Sequence, residues 1–453
     1  MAIRALKRTF FFIILIAATL QPQYAQNISK ASVKHPAWSR NKTIYEVNLR
    51  QFTKEGTLKA FETELPRLKE LGVGILWFMP INPIGEVNRK GTLGSYYAVK
   101  DYLAVNPEFG TLADFKSVVN KAHKLGMHVI IDWVANHTSW DNVLTKTNPG
   151  FYTKDSLGKF MPPVADWSDV IDLNYDNKDL WKYMKDALLY WVKEADIDGY
   201  RCDVAGMVPT AFWEYARKEL DKVKPVFMLA EAEEPGLHAK AFDMTYGWNL
   251  YHLFNSIAAG DSTALAIDRY NKRDYAQYPK DAYRMLFTTN HDENSWNGTE
   301  FERLKDGALT FSVLTYTLNG MPLIYTGQEA GLDKRLSFFE HDPVNWDNYK
   351  YQDFFKKLNG LKSKNKALLN GAEGGQIVNI ENDKGKDVYS FMREKGKDRI
   401  VVIANLSGKD QEVKLESLKG KGSYTELFTD RKLTLTGNDQ FKLKPWEYLL
   451  LTK

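Results

Sequence analysis

Cysteine is almost absent from this chain, which has one, Cys202, among 453 residues. A single cysteine excludes an intramolecular disulfide and any metal cluster built from cysteine thiolates. Cys202 lies inside an apolar segment, so we expect a buried, inert thiol. With 44% apolar residues the chain has ample material for a core, and that core alone must stabilise the fold.

The start of the chain has no apolar run long enough to span a bilayer. Residues 10–20 are apolar, but a membrane-spanning helix needs about 20 such residues. Three basic residues precede this run, namely Arg4, Lys7 and Arg8. A basic start, a short apolar run and a cleavage site after Ala25 are typical of a secretory signal peptide. We therefore expect residues 1–25 to be removed and the protein to be exported to the periplasm or the medium, without a stable membrane anchor.

Neither sign of charge dominates the sequence. The whole chain has 61 Lys and Arg against 57 Asp and Glu, and removing the predicted signal peptide leaves 58 against 57, a net charge of +1. No basic face stands out, so nucleic acid is not an expected partner. We expect a neutral or nearly neutral substrate instead.

Apolar strand-like segments alternate with amphipathic helical segments along most of the chain. The predicted strands are 44–49, 74–79, 128–133, 199–204, 226–230, 244–247, 285–289 and 323–327. The predicted helices are 58–71, 112–125, 180–195, 211–220, 250–259 and 304–318, and glycines expected to end three of them are Gly72, Gly126 and Gly320. Eight such strands predict an α/β protein with a (β/α)₈ TIM barrel over residues 26–369, including a short excursion after the third strand at 138–176.

The pattern of polar and apolar residues changes after residue 369. Short segments of alternating polarity occur at 388–391, 400–406, 412–415 and 432–435, separated by Asn, Asp, Gly and Ser turns. They predict a separate C-terminal antiparallel β-sandwich domain over residues 370–453.

Polar residues stand where the predicted barrel strands end, and this is where barrel enzymes carry their catalytic groups. Asp203, Glu231 and Asp292 follow three different strands. Cleaving a glycosidic bond needs one acid to protonate the leaving oxygen and one carboxylate to attack or to direct water. Arg201 shares a strand face with Asp203 and could hold that carboxylate ionised. The spacing between carboxylates decides between retention and inversion, so residue order alone leaves the stereochemistry open.

Other polar residues near these ends suit recognition of a sugar rather than bond cleavage. His137 and His291 can donate and accept hydrogen bonds in fixed directions, as sugar hydroxyls require. Asp132 and Asn136 lie beside His137 at the end of the third strand and are expected to have a structural role there. Either kind of residue also occurs in proteins as an ordinary capping or core group.

The residues at these positions resemble the α-amylase family of glycoside hydrolases, family 13. Segment 132–137 is similar to the family pattern Asp-x-x-x-Asn-His, 199–203 to Gly-x-Arg-x-Asp, and 290–292 to Asn-His-Asp. Segments 172–174, 320–329 and 94–102 resemble three further family motifs, and all six occur in the family's order. The C-terminal β-sandwich also fits the family layout.

The resemblance implies a retaining mechanism on α-1,4-linked glucans or oligosaccharides derived from starch. Asp203 would be the nucleophile, Glu231 the general acid and then base, and Asp292 the acid that stabilises the transition state. His137, Arg201 and His291 would contact the nucleophile and the sugar. Tyr97 would stack on the sugar being cleaved.

The chain departs from the family in two places. Val204-Ala205-Gly206-Met207 replaces a Lys-His pair that many α-amylases have, and the 138–176 excursion is short. Asn136 matches one calcium ligand of the family, but Ca²⁺ takes six or more oxygens and no further ligand can be named. We therefore expect no cofactor for the chemistry and leave a structural calcium ion as the less favoured alternative.

Two other functions remain open at this stage. A transglycosylase, or a trehalose- or sucrose-acting relative, would use the same covalent intermediate. A carbohydrate-binding protein that has lost catalysis would usually lack one of the three acids, and none is missing here.

Overall fold

The computed structural model describes residues 33–416 and 418–453. The predicted signal peptide lies outside this part of the chain. None of the helices in it is long and apolar enough to cross a membrane.

Eight parallel strands close into a barrel, which confirms the predicted fold. They are β1 (Ile44–Val47), β2 (Ile75–Phe78), β3 (His128–Trp133), β6 (Gly199–Cys202), β7 (Phe227–Ala230), β8 (Met244–Tyr246), β9 (Tyr283–Leu286) and β10 (Met321–Tyr325). Their order around the barrel is β1-β10-β9-β8-β7-β6-β3-β2. All eight correspond to predicted strands, including the short β8.

Side chains along these strands point alternately into the barrel interior and toward the outer layer of helices. Ile44, Ile75, Ile130, Phe227, Leu229, Met244, Met285, Met321 and Leu323 form one buried cluster inside the barrel. Residues two positions further along β3, β6 and β7 point to the same side. The same alternation places the next inward-facing side chains above the apolar interior, at the carboxyl ends of the strands. These residues are Asp132, Arg201, Asp203 and Glu231.

Helices cover the outside of the barrel. The α-helices are α1 (Leu49–Phe52), α2 (Leu58–Leu71), α3 (Leu112–Lys124), α4 (Leu144–Thr147), α5 (Lys178–Glu194), α6 (Thr210–Leu220), α7 (Trp248–Ala259), α8 (Leu265–Gln277), α9 (Glu300–Leu304), α10 (Ala308–Thr317) and α11 (Gln352–Lys364). In α2 the buried residues are Leu58, Phe61, Leu65, Leu68 and Leu71, as a single apolar stripe requires. The Thr57 hydroxyl caps its first turn, and Gly72 ends it in the left-handed region at φ 90°.

Three helical predictions needed correction. Of the predicted helix at 304–318, residues 308–317 form α10, whereas residues 305–307 form a 3₁₀ turn and Leu304 is the last residue of α9. Gly320 does not end α10; a side chain there would meet the Arg284 carbonyl oxygen at 2.7 Å, so close packing against β9 explains the glycine. Helices α8 and α11 were missed because both are rich in polar residues, and α8 has a buried stripe of only Ala266, Ile267 and Tyr270.

The excursion after β3 forms a small hairpin rather than a separate globule. Strands β4 (His137–Ser139) and β5 (Val170–Asp172) pair antiparallel, with His137 opposite Asp172. The hairpin therefore fixes His137 beside the barrel mouth.

The C-terminal region consists of two antiparallel sheets that share a core. The strands are β11 (Val378–Asn379), β12 (Glu381–Asn382), β13 (Val388–Lys395), β14 (Asp398–Asn405), β15 (Gln411–Glu416), β16 (Gly422–Glu426), β17 (Lys432–Leu435), β18 (Gln440–Leu443) and β19 (Tyr448–Thr452). The sheet orders are β11-β13-β14-β19-β16-β17 and β12-β15-β18. Val401, Val413 and Leu451 are among the residues that join the two sheets, as predicted for a sandwich.

The larger C-terminal sheet also packs on the barrel. Phe391, Val402 and Leu450 belong to the same buried cluster as the barrel helices. The buried Arg393 guanidinium donates from Nη1 to the carbonyl oxygens of Thr317 and Leu318, at the C-terminal end of α10. Barrel and sandwich therefore share one continuous interior.

Candidate active site

Arg201 lies at the centre of the polar layer and is fully buried. Its Nη1 donates to Asp132 Oδ1 at 2.8 Å and to Asp203 Oδ1 at 2.9 Å. Its Nη2 lies 2.9 Å from Glu231 Oε2, at an angle too poor for a hydrogen bond, so this third contact is electrostatic. One guanidinium therefore serves three carboxylates from β3, β6 and β7.

Asp132 is held by a further pair of donors in addition to Arg201. The Tyr97 hydroxyl donates to Asp132 Oδ2 at 3.1 Å, and Trp77 Nε1 donates to the same oxygen at 3.2 Å. This carboxylate is fully enclosed, and its structural role at the site stays a prediction. Its contacts hold Arg201 and Tyr97 in place.

Glu231 is fixed by the backbone of the neighbouring strand end. The Val204 amide donates to Glu231 Oε2 at 2.8 Å. Val204 adopts φ 36°, a left-handed conformation that is costly for a β-branched side chain. This strained turn after Asp203 aims the Val204 amide at Glu231.

His291 connects Asp292 to a buried acid that the sequence analysis missed. Its Nε2 lies 3.2 Å from Asp292 Oδ2 and 2.8 Å from the Tyr97 hydroxyl, and its Nδ1 pairs with Glu46 Oε1. Burial would lower the pKa of His291, but Asp292 and Glu46 raise it well above its usual value. Both ring nitrogens of His291 therefore have protein partners, and the two carboxylates favour its protonated form.

His137 has a different environment. Its Nε2 lies 4.0 Å from Asp203 Oδ2, and its Nδ1 is 3.3 Å from Asn136 Nδ2. Burial lowers the pKa of His137 to about 3, so the ring is neutral at working pH. A neutral imidazole beside Asp203 can exchange hydrogen bonds with a sugar hydroxyl.

Negative charge exceeds positive charge in this cluster. Burial raises the pKa of Asp132 to about 6 despite Arg201, and burial together with Glu231 raises the pKa of Asp203. The sequence predicted that Arg201 would keep Asp203 ionised, but Arg201 is shared with Asp132 and Glu231. Asp292 is the exception, since His291 and Arg201 outweigh burial and lower the pKa of its carboxyl group. Burial thus raises the pKa of Asp132 and Asp203, whereas the neighbouring cations lower that of Asp292.

The three predicted catalytic acids open into one cavity of about 330 Å³, the catalytic cavity. Its wall also includes Tyr97, His137, Trp167, Trp296 and Phe338. The Tyr97 ring is stacked with Phe338 at 6.3 Å between centroids, and Trp296 packs on Phe338 at 5.2 Å. Flat apolar walls around a few polar groups suit a sugar ring, which has apolar C–H faces and polar edges.

The sequence predicted the three acids, but it did not predict several residues that contact the site. Glu46, Trp77, Tyr246 and Phe338 all contact the site, and Tyr246 accepts from Arg201 Nε at 3.1 Å. Glu46 did give a signal, because it is a lone acid in the apolar strand Ile44–Val47. Of the other aromatic residues near strand ends, Tyr96 and Trp133 are core residues, whereas Trp167 and Trp296 line the catalytic cavity.

Asn136, which matches one calcium ligand of the family, has partners within the protein. Its side-chain amide is engaged with His137, and its backbone carbonyl accepts from the Leu173 amide. Among the described residues no group of three or more His, Cys, Asp or Glu side chains could hold a metal ion.

Comparison with known proteins identifies the family. The model for the catalytic domain of alpha amylase matches residues 30–152 and 164–400, and the model for the C-terminal domain of maltogenic amylase matches residues 378–450. The chain is 34% identical to an α-amylase from Lactobacillus plantarum, covering 92% of this chain and 99% of that one with a TM-score of 0.81. It is 32% identical to a noncanonic maltogenic α-amylase from Thermotoga neapolitana, covering 91% and 98% with a TM-score of 0.84.

Curated relatives agree with this result at lower identity. Alpha-amylase 2 of Dictyoglomus thermophilum is 25% identical over 95% of this chain and 79% of that protein. The intracellular maltogenic amylase of Bacillus subtilis is 27% identical over 88% and 70%. The two family models match in their expected order, and relatives above 30% identity cover nearly the whole chain. The barrel also has three acids at its mouth. We therefore conclude that the chain belongs to the α-amylase family of glycoside hydrolases.

Proposed function

We propose that this protein hydrolyses α-1,4-glucosidic bonds of starch-derived maltooligosaccharides with retention of configuration. The observation that carries the proposal is the convergence of Asp203, Glu231 and Asp292 on one aromatic-walled cavity around Arg201. The relatives named above are amylases and maltogenic amylases, which supports the choice of substrate.

The proposed chemistry has two balanced steps. A carboxylate oxygen of Asp203 attacks the anomeric carbon while the glycosidic C–O bond breaks, and the leaving oxygen takes the proton of Glu231. Water then attacks the same carbon, gives its proton to Glu231, and releases Asp203. Asp292, held ionised by His291, faces the positive charge that develops on the sugar.

Replacement of the nucleophile is the direct test. We expect Asp203→Asn to lower kcat on maltoheptaose by at least about a thousandfold, because the amide cannot form the covalent bond. Asp261→Asn, an exposed change after α7, should leave kcat unchanged. Wild-type turnover by Asp203→Asn would contradict the assignment. Products longer than the added maltoheptaose would show that sugar, rather than water, intercepts the intermediate.

A second experiment separates the roles of the two acids. Glu231→Gln should be severely impaired on maltooligosaccharides but should still react with maltosyl fluoride, because fluoride leaves without protonation. That reaction should leave the protein heavier by one maltosyl group when water attack is slow. Equal impairment on both substrates would argue against Glu231 as the acid.

We also propose that the chemistry requires no metal ion and that calcium is dispensable. The short 138–176 excursion supports this proposal, because no calcium ligand besides Asn136 can be named. Dialysis against a chelator should leave kcat and the melting temperature unchanged. A loss that added Ca²⁺ restores would contradict the proposal.

Export through a signal peptide at residues 1–25 is a further proposal, supported by the basic start and short apolar run of the sequence. N-terminal sequencing of the native protein should begin at Gln26. A cytosolic protein that retains the first 25 residues would contradict it.

A further inference from the structure

A loop at the barrel mouth is tied to the excursion after β3 across the edge of the catalytic cavity. This loop, residues 84–94, follows β2, and we call it the bridging loop. Lys90 Nζ lies 2.9 Å from Asp169 Oδ1 and donates to the Asp166 carbonyl oxygen at 2.9 Å. Asp169 is buried, so its carboxylate depends on this counter-charge. The junction between the bridging loop and segment 166–169 is therefore more than a loose surface contact.

The bridging loop is also tied to the segment after β10, residues 338–340. The Thr92 amide donates to Glu340 Oε1 at 2.9 Å, and the Leu93 amide donates to the Phe339 carbonyl oxygen at 3.1 Å. The bridging loop thus connects the excursion on one side with the segment after β10 on the other. We call the continuous edge formed by these three segments the rim.

Arg89 fastens the bridging loop from within. Its guanidinium donates to the carbonyl oxygens of Gly85, Ile84 and Thr92 at 2.7, 3.1 and 3.2 Å. These bonds join the first residues of the loop to its far end. Movement of the loop would break them together with both junctions, and segments with many such bonds open rarely. The rim is therefore a fixed wall rather than a lid.

The rim forms one wall of the catalytic cavity and faces Glu231 across the barrel mouth. The rim residues that line the cavity are Lys90, Trp167, Asp169, Phe338 and Phe339. Its three segments follow β2, β3 and β10, which together with β1 make up one half of the closed barrel. Glu231 follows β7, and β7 lies directly opposite β1 in the order of the eight strands.

This arrangement places the rim on the non-reducing side of the bond to be cleaved. The leaving group takes the proton of Glu231, so it departs on the side of Glu231. The rest of the glucan, whose anomeric carbon is attacked by Asp203, extends toward the opposite side. There Tyr97 is stacked with Phe338 of the rim, 6.3 Å between ring centroids. A glucan chain that continues past Tyr97 therefore meets the rim.

We propose that the rim closes the catalytic cavity on the non-reducing side, so that the enzyme removes a short product of one length from the non-reducing ends of linear α-glucans. A chain that ends at the rim fits, whereas cleavage far inside a chain would drive its non-reducing part into the rim. Such a clash selects against one substrate as effectively as a new contact selects for another. This inference rests on the proposed function and adds to it the position at which a chain is cut.

The test compares two nitrophenyl maltoheptaosides, one with a free non-reducing end and one with an ethylidene group on that end. The wild-type kcat/KM should be at least about tenfold lower on the blocked glycoside, because the added group clashes with the rim. From the free glycoside, the first products should be one short saccharide and one nitrophenyl fragment. Chromatography with mass detection identifies both.

The double change Lys90→Ala and Asp169→Ala should open the rim without leaving a buried carboxylate unpaired. The preference for the free end should then fall severalfold, and products of several lengths should appear. The matched control is Lys116→Ala with Glu194→Ala, which removes an ion pair of 3.0 Å that lies outside the catalytic cavity. It should keep both the preference and the single product length.

The outcomes separate this inference from the proposed function. Equal wild-type kcat/KM on the two glycosides, or a preference that the double change leaves as it was, would overturn the inference while hydrolysis itself stands. The wild-type comparison decides the matter even if the double variant is too unstable to assay. Hydrolysis of neither glycoside would refute the proposed function, and this inference with it.

Discussion

Arg201 shows how one buried side chain sets the charge of a whole site. Its guanidinium contacts Asp132, Asp203 and Glu231, so no single carboxylate has a full counter-charge. Such sharing, together with burial, raises the pKa of Asp132 and Asp203 although a cation lies beside them. A lysine at this position could not reproduce these contacts, because a single ammonium lacks the planar fork.

Glu46 is predicted to be a positioning residue that acts through His291. Glu46→Gln removes one of the two negative charges that raise the pKa of His291, so that pKa should fall. His291 would then lose its proton at lower pH, and the alkaline limb of kcat against pH should move downward. A pH profile of kcat on maltotriose measures the shift.

The exposed change Glu55→Gln is the control for Glu46→Gln and should leave the profile in place. A purely structural role of Glu46 would lower the melting temperature and leave the alkaline limb unmoved, and that result would refute the prediction.

A second prediction for a single residue concerns the backbone strain at Val204. Glycine tolerates φ 36° without strain, and the relief of about 1 kcal/mol or more should offset the entropy that glycine loses on folding. Val204→Gly should therefore unfold at the same or a higher temperature, and it keeps the amide that donates to Glu231. Thermal unfolding measures this. A melting temperature several degrees lower would show that Val204 is not strained.

Among secondary-structure elements, the strands were predicted better than the helices. Side chains alternate along a strand whatever surrounds it, so Asp132, Arg201 and Asp203 could be assigned to one face from the sequence. Helix α8 gave no such signal, because a cavity between it and segment 371–379 replaces core packing along part of the helix and leaves residues such as Lys272 and Tyr275 exposed. Gly320 looked like a helix end, although its real constraint is the contact with β9.

The end of α10 depends on a residue about 75 positions away in sequence. Arg393 donates to the carbonyl oxygens of Thr317, Leu318 and Gly375, and burial lowers the pKa of its guanidinium to about 9. Arg393→Ala would leave these buried acceptors unpaired and should cost about 3 kcal/mol. The melting temperature should fall, and protease should cut near residue 370 more readily. Arg431→Ala, on the exposed surface of the sandwich, should change neither.

For the molecule as a whole, the shared interior predicts cooperative unfolding. One face of the large sandwich sheet contributes Phe391 and Val402 to the barrel cluster, while its other face contributes Val401 and Ile403 to the sandwich cluster. Removing the sandwich would expose the apolar side of the barrel helices that it covers. Scanning calorimetry should therefore show one transition, and a chain ending at residue 377 should be insoluble. Two separate transitions, or a soluble active barrel, would contradict this expectation.

The sequence by itself determined the barrel, the sandwich and the three acids at strand ends, because strand alternation and strand order are local properties of the chain. The tertiary structure alone decided which groups share Arg201, why Glu46 belongs to the site, and where a cavity opens between α8 and segment 371–379. These features depend on barrel closure and on the docking of the sandwich, which bring together residues up to 245 positions apart, such as Glu46 and His291. Distances between such residues are set by packing, and no local pattern in the sequence encodes them.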